Sequence, residues 1–292
     1  NKKAFLFFNF GFYFQYPLFD YLYGGLNPVL ISKTVPALVG NPDLEPETTR
    51  MWEFSAKYIF PYDVVGTITY FSKQTENLID TKTFIPSKTR LAGDYGFAEY
   101  VNSPSANAHG IEVVITKDRG ELVTGTLSYT YMEAKGLADV VSQGMTYFQW
   151  GFPVPAIEYP LSWDQRHAIK AVVALELPWD IVANLVWQFH TARPYTFYPS
   201  KDGFTADDTT KAFFPNNARM DDNSTLDVKV AKEIALGGQN SHRLYLYVDA
   251  RNLLNRKNVK WIDSNGRIGG ELRDPSAYYD SRRTRLGVRV EF

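Results

Sequence analysis

The two-residue spacing of apolar side chains constrains this chain more than any other feature of its sequence. In AFLFFNFGFYFQ, at residues 4–15, every second residue from Ala4 onward is apolar, and Asn9 and Gln15 fall between them. TRMWEFSAKYIF, at residues 49–60, repeats the alternation. Successive side chains of an extended strand point to opposite faces, so these segments predict β-strands with one strongly apolar face.

The connections between such segments alternate between short and long. Short connectors lie near residues 61–63, 119, 179 and 237, and long polar, turn-rich segments lie near residues 17–45, 74–97, 135–161, 196–222 and 255–278. This organisation predicts about ten antiparallel strands, one of them near residues 98–117. Short turns at one end and long loops at the other are typical of outer-membrane barrels. We therefore interpret the chain as an all-β, transmembrane, antiparallel up-and-down β-barrel.

The composition agrees with a membrane barrel and excludes several other classes. Aromatic residues make up 15% of the chain, yet mean hydropathy is −0.28. A barrel strand needs only about 10 alternating residues to cross a bilayer, so half of each crossing can be polar. The net charge of −1 gives no reason to expect nucleic acid, and the four scattered histidines without any cysteine contain no zinc motif. We expect neither a nucleic-acid partner nor a cofactor.

The C-terminal segment RRTRLGVRVEF separates apolar from charged side chains by the same period. Three arginines and a glutamate occupy one side of the expected strand. An edge strand of a soluble β-sandwich would also accept this pattern, but the aromatic faces and the regular connectors favour a membrane strand. We predict a barrel-closing strand whose lipid-facing residues are Leu286, Val288, Val290 and Phe292.

Six stretches of the sequence, in this order, resemble motifs of TonB-dependent outer-membrane receptors, especially those of Bacteroidetes-like bacteria. They are NPDLEPETTRMWEFSAKY (41–58), HGIEVVITK (109–117), LSWDQRHAIKA (161–171), TARPYT (191–196), DARNLLNRKN (249–258) and GVRVEF (287–292). The resemblance implies that residues 1–292 are the C-terminal portion of the barrel, about ten strands of a 22-stranded wall. The plug domain and the earlier strands are then expected outside this chain.

The resemblance also implies a function. Such receptors reside in the bacterial outer membrane and import scarce ligands, such as siderophores, cobalamin or glycans, with energy delivered by the TonB complex through the plug. The implied partners are the lipid bilayer, the TonB complex, a small-molecule or glycan ligand and a candidate surface lipoprotein. The residues do not identify the ligand. A complete ten-stranded outer-membrane pore, or a surface protease, stays open as the alternative.

Two groups of candidate site residues follow. Charged residues on the non-apolar phase of the strands are expected to face the lumen, where they pack against a plug or set ion selectivity; they are Glu53, Lys57, Asp164, Arg166, Lys170, Asp249, Arg251, Arg285 and Arg289. Aromatic residues of the long loops are the candidates for stacking on an arriving ligand: Tyr147, Phe148, Trp150, Phe213 and Phe214.

Catalysis and metal binding have weaker support. Asp164 and His167 are an acid and a histidine at the start of a strand, but residues three apart on a strand point to opposite faces. The acidic residues of one long loop match no calcium-loop spacing, namely Asp207, Asp208, Asp221 and Asp222. We predict that the chain is not an enzyme and holds no metal.

Overall fold

The computed structural model describes residues 3–26, 37–85, 96–103, 105–149, 151–152, 154–197, 215–236 and 242–291. Its elements, in chain order, are β1 (Ala4–Gln15), α1 (Phe19–Tyr23), β2 (Ala37–Val39), β3 (Glu47–Ile59), β4 (Val64–Glu76), β5 (Leu78–Phe84), β6 (Phe97–Ser103), β7 (Ala106–Lys117), β8 (Val123–Gly136), α2 (Gln143–Gln149), β9 (Tyr159–Pro160), β10 (His167–Leu177), β11 (Ile181–His190), β12 (Pro194–Tyr195), β13 (Ala218–Arg219), β14 (Asn223–Leu236), β15 (His242–Arg251) and β16 (Arg283–Glu291).

Ten long strands form one antiparallel sheet in the order β1-β3-β4-β7-β8-β10-β11-β14-β15-β16, and the short β9 pairs with β8. Apart from the two edge strands, each long strand pairs with the long strand that precedes it and the one that follows it in the sequence. This order confirms the predicted up-and-down arrangement. The prediction of a single strand near residues 98–117 was wrong, because this segment forms two strands, β6 and β7. Only β7 belongs to the main sheet, whereas β6 pairs with β5 and β2 in a separate three-stranded sheet.

The ten-stranded sheet is open. Within the described residues, β1 pairs only with β3, and β16 pairs only with β15. Pairing of β1 with β16 would have indicated a complete small barrel, and the structure has none. Unpaired backbone groups at an edge cannot be satisfied by lipid, so each edge requires a further strand in a membrane.

The register collects the apolar side chains on one face. Phe8, Phe54, Tyr70, Ile111 and Tyr131 are successive cross-strand partners on five adjacent strands. Phe8 is 69% exposed. Exposing apolar surface to water costs about 25 cal/mol per Å², and a continuous apolar surface of this extent marks a membrane-contacting or interaction face.

The C-terminal strand follows the predicted alternation. On β16, Leu286 is 81% exposed and Val288 65% exposed, and Val288 is opposite Leu246 of β15. On the other face, Arg289 is opposite Tyr245. Phe292 lies outside the described residues.

Tight turns join the strands at one end of the sheet. Tyr62 and Asp63 have φ angles of 65° and 57°, and Trp179 and Asp180 have 66° and 56°. Two successive positive φ values are typical of hairpin turns whose twist matches the strands. The predicted short connectors near residues 61–63, 119 and 179 are confirmed, and the one near residue 237 lies outside the described residues.

The long connections form an ordered layer at the opposite end. The Asp80 carboxylate on β5 accepts a hydrogen bond of 2.9 Å from the backbone N–H of Gly144 on α2, and the Thr81 hydroxyl accepts one of 2.9 Å from the N–H of Met145. These bonds attach α2 to the three-stranded sheet. None of the helices in the described parts of the chain combines the length and apolar character that a membrane crossing requires.

A small apolar cluster anchors this layer to the main sheet. Ala106, Ala108, Ala134 and Leu161 are buried against one another, and Leu78 at the start of β5 packs on them. The small alanine side chains on β7 and β8 leave room for the Leu161 side chain to pack directly on the sheet. Larger side chains at these positions would occupy that space. The long-loop end is therefore a folded part of the molecule.

Candidate ligand-binding cavity at the long-loop end of the sheet

A cavity of about 650 Å³ lies on the polar face of the sheet, at the long-loop ends of β11, β14, β15 and β16. Strand residues such as Gln188, Thr225 and Arg251 form its wall, and the segment after β15 contributes Lys260 and Tyr279. Small-molecule sites typically have volumes of about 300–1,000 Å³. The cavity has the size of a ligand site, and its lining is mostly polar.

The sequence DARNLLNRKN builds one side of this cavity by turning the chain after β15. Asn252 has a φ of 47°, a left-handed conformation that asparagine tolerates better than most residues. Its side-chain amide donates to the carbonyls of Arg256 (2.9 Å) and Asp280 (3.1 Å), and its side-chain oxygen accepts from the Arg256 N–H (3.1 Å). One side chain thus joins the start and the end of the connection between β15 and β16.

Asn258 attaches the same segment to β14. Its amide donates to the Ser224 carbonyl at 2.8 Å, and its oxygen accepts from the Ser224 N–H at 2.8 Å. The Asn223 amide also donates to the Val259 carbonyl at 3.0 Å. These bonds hold the backbone of the segment that carries Lys260 against the end of the sheet.

Positive charge dominates the cavity lining. Five basic side chains lie around it, and only the two carboxylates of Asp227 and Asp280 oppose them among the described lining residues; the basic residues are Arg193, Arg251, Lys260, Arg283 and Arg285. Asp280 pairs with Arg283 at 3.1 Å, and Asp227 accepts a hydrogen bond from the Asn252 N–H. Within the described parts of the chain, Arg251, Lys260 and Arg285 form no ion pair.

Two buried polar atoms of the lining residues also lack partners. Nδ1 of His190 and Oδ1 of Asn223 make no hydrogen bond to any described residue. Buried polar atoms are satisfied in most native structures, and exceptions occur where a ligand or water binds.

Most of the predicted lumen-facing residues share the face that carries this cavity. Glu53 is opposite Phe71, and Lys57 is opposite Thr67. Asp249 is opposite Arg285 on the C-terminal strands. By the same alternation, Lys170, Arg251 and Arg289 fall on this face. That the face lines a lumen stays a prediction.

Asp164 does not lie on the open polar face, contrary to our expectation. It precedes β10, so strand alternation does not apply to it, and its side chain is fully buried. The carboxylate accepts from the Ala134 N–H at 2.8 Å and from Arg166 Nε at 3.0 Å, and it pairs with Arg219. Arg166 also pairs with Glu133 at 2.8 Å. These residues form an ionic network around the buried Asp164 carboxylate.

The candidate acid and histidine pair has separate partners. Nδ1 of His167 is 2.9 Å from the Tyr129 hydroxyl, on the apolar face, whereas the Asp164 carboxylate is occupied by Ala134 and two arginines. Asp164 and His167 therefore do not form a hydrogen-bonded pair with each other.

The loop aromatics are only partly described. Tyr147 and Phe148 lie on α2; the Tyr147 hydroxyl accepts from Gln143 Nε2 at 2.7 Å, and Phe148 is 40% exposed. Three predicted ligand-contact residues lie outside the described residues, namely Trp150, Phe213 and Phe214, and so do Asp207 and Asp208. Sequence reasoning missed Asn258 and Lys260 as cavity residues, although the asparagine-rich motif that contains Asn258 was the available signal.

The open antiparallel sheet, its apolar outer face and its asymmetric connections define the wall of an outer-membrane β-barrel. Residues 3–158 match the family model described as "TonB dependent receptor-like, beta-barrel", which is more than half of the chain. The chain therefore belongs to the TonB-dependent receptor β-barrel family. This confirms the resemblance seen in the sequence, the β-barrel fold and the location in the bacterial outer membrane. Because outer-membrane barrels typically have short periplasmic turns and long extracellular loops, we expect the long-loop end to be extracellular.

Solved structures of outer-membrane receptors and transporters share the fold. A variant of the ferric enterobactin receptor PfeA from Pseudomonas aeruginosa matches 100% of this chain with a TM-score of 0.61 and 15% identity. The outer-membrane transporter YddB from Escherichia coli gives 0.70 and 13% over 100% of the chain, and the siderophore receptor PirA from Acinetobacter baumannii gives 0.64 and 15% over 100%. The matched regions are 38%, 39% and 39% of those chains, so this chain spans less than two fifths of their length. No curated relative matches the chain in sequence.

Proposed function

We propose that this chain is the C-terminal portion of the wall of an outer-membrane receptor that imports a scarce ligand with TonB-coupled energy. The family match over residues 3–158 carries the proposal. The open sheet supports it, because both edges require neighbouring strands in a membrane. Strands preceding this chain would complete a wall of about 22 strands around a plug.

In this proposal the two faces of the sheet have different partners. The apolar face contacts lipid, and the polar face, with Glu53, Lys57 and Lys170, contacts a plug domain. The TonB complex acts on the plug and not on this part of the wall. A surface lipoprotein partner is a further proposal that follows from the family alone.

The first candidate ligand is an iron chelate. The solved structures that share the fold include a ferric enterobactin receptor, a ferric-catecholate import receptor and a siderophore receptor, and these names support a siderophore before cobalamin or a glycan. The loop aromatics at the extracellular end, including Tyr147 and Phe148, are proposed to contact the arriving ligand. The family consists of receptors and transporters, which agrees with our expectation that the chain is not an enzyme.

The test removes the gene and measures iron uptake. A deletion strain grown under iron limitation is given radioactive iron bound to a panel of siderophores, and uptake is compared with the parent strain and with a strain that lacks TonB. We expect at least one chelate whose uptake requires both genes. Uptake that needs this gene but not TonB would instead indicate a passive pore, and a panel extended to cobalamin and glycans would identify other cargo.

A further inference from the structure

We infer that a groove on the apolar face of the C-terminal strands binds one phospholipid from the leaflet at the short-turn end. The lipid phosphate contacts Lys232, and an acyl chain lies along the groove. We call this surface the lipid groove. The inference goes beyond the proposed function, because it depends on the apolar face contacting the membrane and not on the imported ligand or on TonB.

The lipid groove crosses β11, β14, β15 and β16 and has a volume of about 560 Å³. Lys232 lies at its end nearest the short turns, opposite Ile181 on one side and Leu246 on the other. Six apolar side chains line the groove, namely Ile181, Val230, Leu246, Val248, Leu286 and Val288. The groove therefore runs from one cation toward the middle of an apolar surface.

Lys232 carries a charge that has no counter-charge in the described parts of the chain. Its side chain is exposed, and neither Asp180 of the adjacent turn nor Glu233 forms an ion pair with it. Glu233 instead pairs with Arg243 at 2.8 Å. Both strands that flank β14 belong to this chain, so no strand from outside the chain lies beside Lys232. The ammonium group is free to bind an anion of the membrane.

The adjacent tight turn indicates the depth of Lys232 in the bilayer. Trp179 in this turn is 79% exposed, and tryptophan is enriched at the level of the lipid headgroups. Ile181, which is opposite Lys232, follows Trp179 by two residues, or roughly 7 Å along an extended strand. Lysine side chains at this depth keep their stems in apolar surroundings and extend the ammonium toward the headgroups. Lys232 can therefore reach a lipid phosphate.

The combination of groove and charge favours one bound phospholipid over general contact with the bilayer. Apolar contacts alone give little preference, because lipid tails are as apolar as the side chains that they touch. A basic residue near the headgroups adds attraction for anionic lipids. The groove volume lies within the range of about 300–1,000 Å³ that is typical of small-molecule sites. An anionic headgroup and an acyl chain joined in one molecule satisfy both parts of the surface.

Lys117 offers a matched control on the same face. It lies at the short-turn end of β7, in phase with Ile115, but its Nζ donates to the Tyr62 carbonyl at 2.7 Å. Strands β8, β10 and β11 separate β7 from β14, which places the two lysines roughly 19 Å apart. Removal of the Lys117 charge should leave the lipid groove unaffected.

The test uses the complete receptor that contains this chain, in nanodiscs of phosphatidylcholine with a small fraction of a photoactivatable lipid. Three probes carry the same diazirine-labelled acyl chains, namely phosphatidylglycerol, phosphatidylcholine and diacylglycerol, which lacks a phosphate. Mass spectrometry quantifies the adducts within residues 244–250 and 284–290. The variants are Lys232→Gln, Lys232→Arg, Val248→Phe and the control Lys117→Gln.

We expect phosphatidylglycerol to label the lipid groove most strongly and diacylglycerol least. Lys232→Gln should lower phosphatidylglycerol labelling about fivefold, as loss of one basic residue near the headgroups requires. Lys232→Arg should retain most of the labelling because it keeps the charge. Val248→Phe should lower the labelling because the larger side chain fills the groove, and Lys117→Gln should not change it.

Three results would overturn the inference. Labelling by phosphatidylglycerol that Lys232→Gln leaves unchanged, or equal labelling by diacylglycerol, would reduce the groove to an ordinary lipid-contact surface. The third is an absence of lipid adducts in the groove of the unmodified receptor. If that receptor also migrates as a dimer, a second copy is the occupant instead. None of these results affects the proposed function, which is tested by iron uptake.

Discussion

The side-chain amide of Asn258 pairs with both backbone hydrogen-bonding groups of Ser224, at 2.8 Å in each direction. Asn258 belongs to the connection after β15, and Ser224 lies near the start of β14. The amide therefore makes the two hydrogen bonds to Ser224 that the backbone of a neighbouring strand would otherwise make. Because Asn258 is only 2% exposed, water has little access to replace these bonds.

Replacement of Asn258 by alanine should destabilise the receptor by about 2 kcal/mol, because it leaves buried backbone groups of Ser224 without partners. Urea unfolding of the purified receptor measures the loss, and hydrogen exchange should localise it to the ends of β14 and β15. Asn217→Ala is the control. The Asn217 amide makes the same two bonds to the Phe197 backbone in an exposed position, so water should compensate and stability should barely change. Equal losses in the two variants would contradict this account.

Single cysteines on the last two strands should report which face contacts lipid. We expect residues 246, 288 and 290 to react with a bilayer-confined probe, and residues 245 and 289 with an aqueous one. The register places these two sets on opposite faces of β15 and β16. Aqueous labelling of both sets would exclude the membrane orientation proposed for this sheet.

Gly110, in the HGIEVVITK motif, should not tolerate alanine. A Cβ at this position would lie 2.1 Å from the Tyr131 carbonyl oxygen and 2.7 Å from the Phe71 ring. Such overpacking costs about 1–3 kcal/mol, so Gly110→Ala should lower the urea midpoint. Gly11→Ala serves as the control, because its Cβ would make an ordinary contact of 3.5 Å with the Tyr13 ring. A Gly110→Ala receptor as stable as the control would show that the strands adjust without cost.

Asp80 should make the attachment of α2 pH-dependent. Burial raises the pKa of its carboxyl above the ordinary value of 3.8, although hydrogen bonds from the Gly144 and Thr81 backbones act in the opposite direction. A carboxyl whose folded pKa is raised stabilises the fold most below its unfolded pKa, and that stabilisation is lost as the pH rises through the folded pKa. Hydrogen exchange of the Gly144 amide should therefore show a larger opening free energy as the pH falls from neutrality toward 3.8.

The Asp80→Asn receptor is the matched variant for that measurement. Asparagine keeps an oxygen that accepts from Gly144 and Thr81, but it carries no charge to desolvate. We expect attachment of α2 at neutral pH to be as strong as in the unmodified receptor or stronger, with a flat pH profile. Asp80→Ala should weaken it at every pH. A profile that Asp80→Asn leaves unchanged would assign the pH dependence to another group.

The number of long strands and their apolar faces could be predicted from the sequence because both depend on local properties. A strand alternates its side chains with a period of two, so the pattern around Phe8 or Val288 already assigns a face to each residue. The outer-membrane class followed from the same alternation together with the lengths of the connections. Where the chain leaves the regular strands, this reasoning failed, as at Asp164, whose buried carboxylate pairs with Arg219 from another segment of the chain.

The sequence by itself therefore determined the class of fold, the orientation of the strand residues and the family of the protein. Only the tertiary structure decided that β6 leaves the main sheet, that Asp164 is buried and that Arg251, Lys260 and Arg285 surround one cavity. The physical reason is the distance along the chain: Asn258 and Ser224 are 34 residues apart. The local alternation of side chains in the sequence does not encode such a contact. It is established by the register of the strands and by hydrogen bonds between their connections.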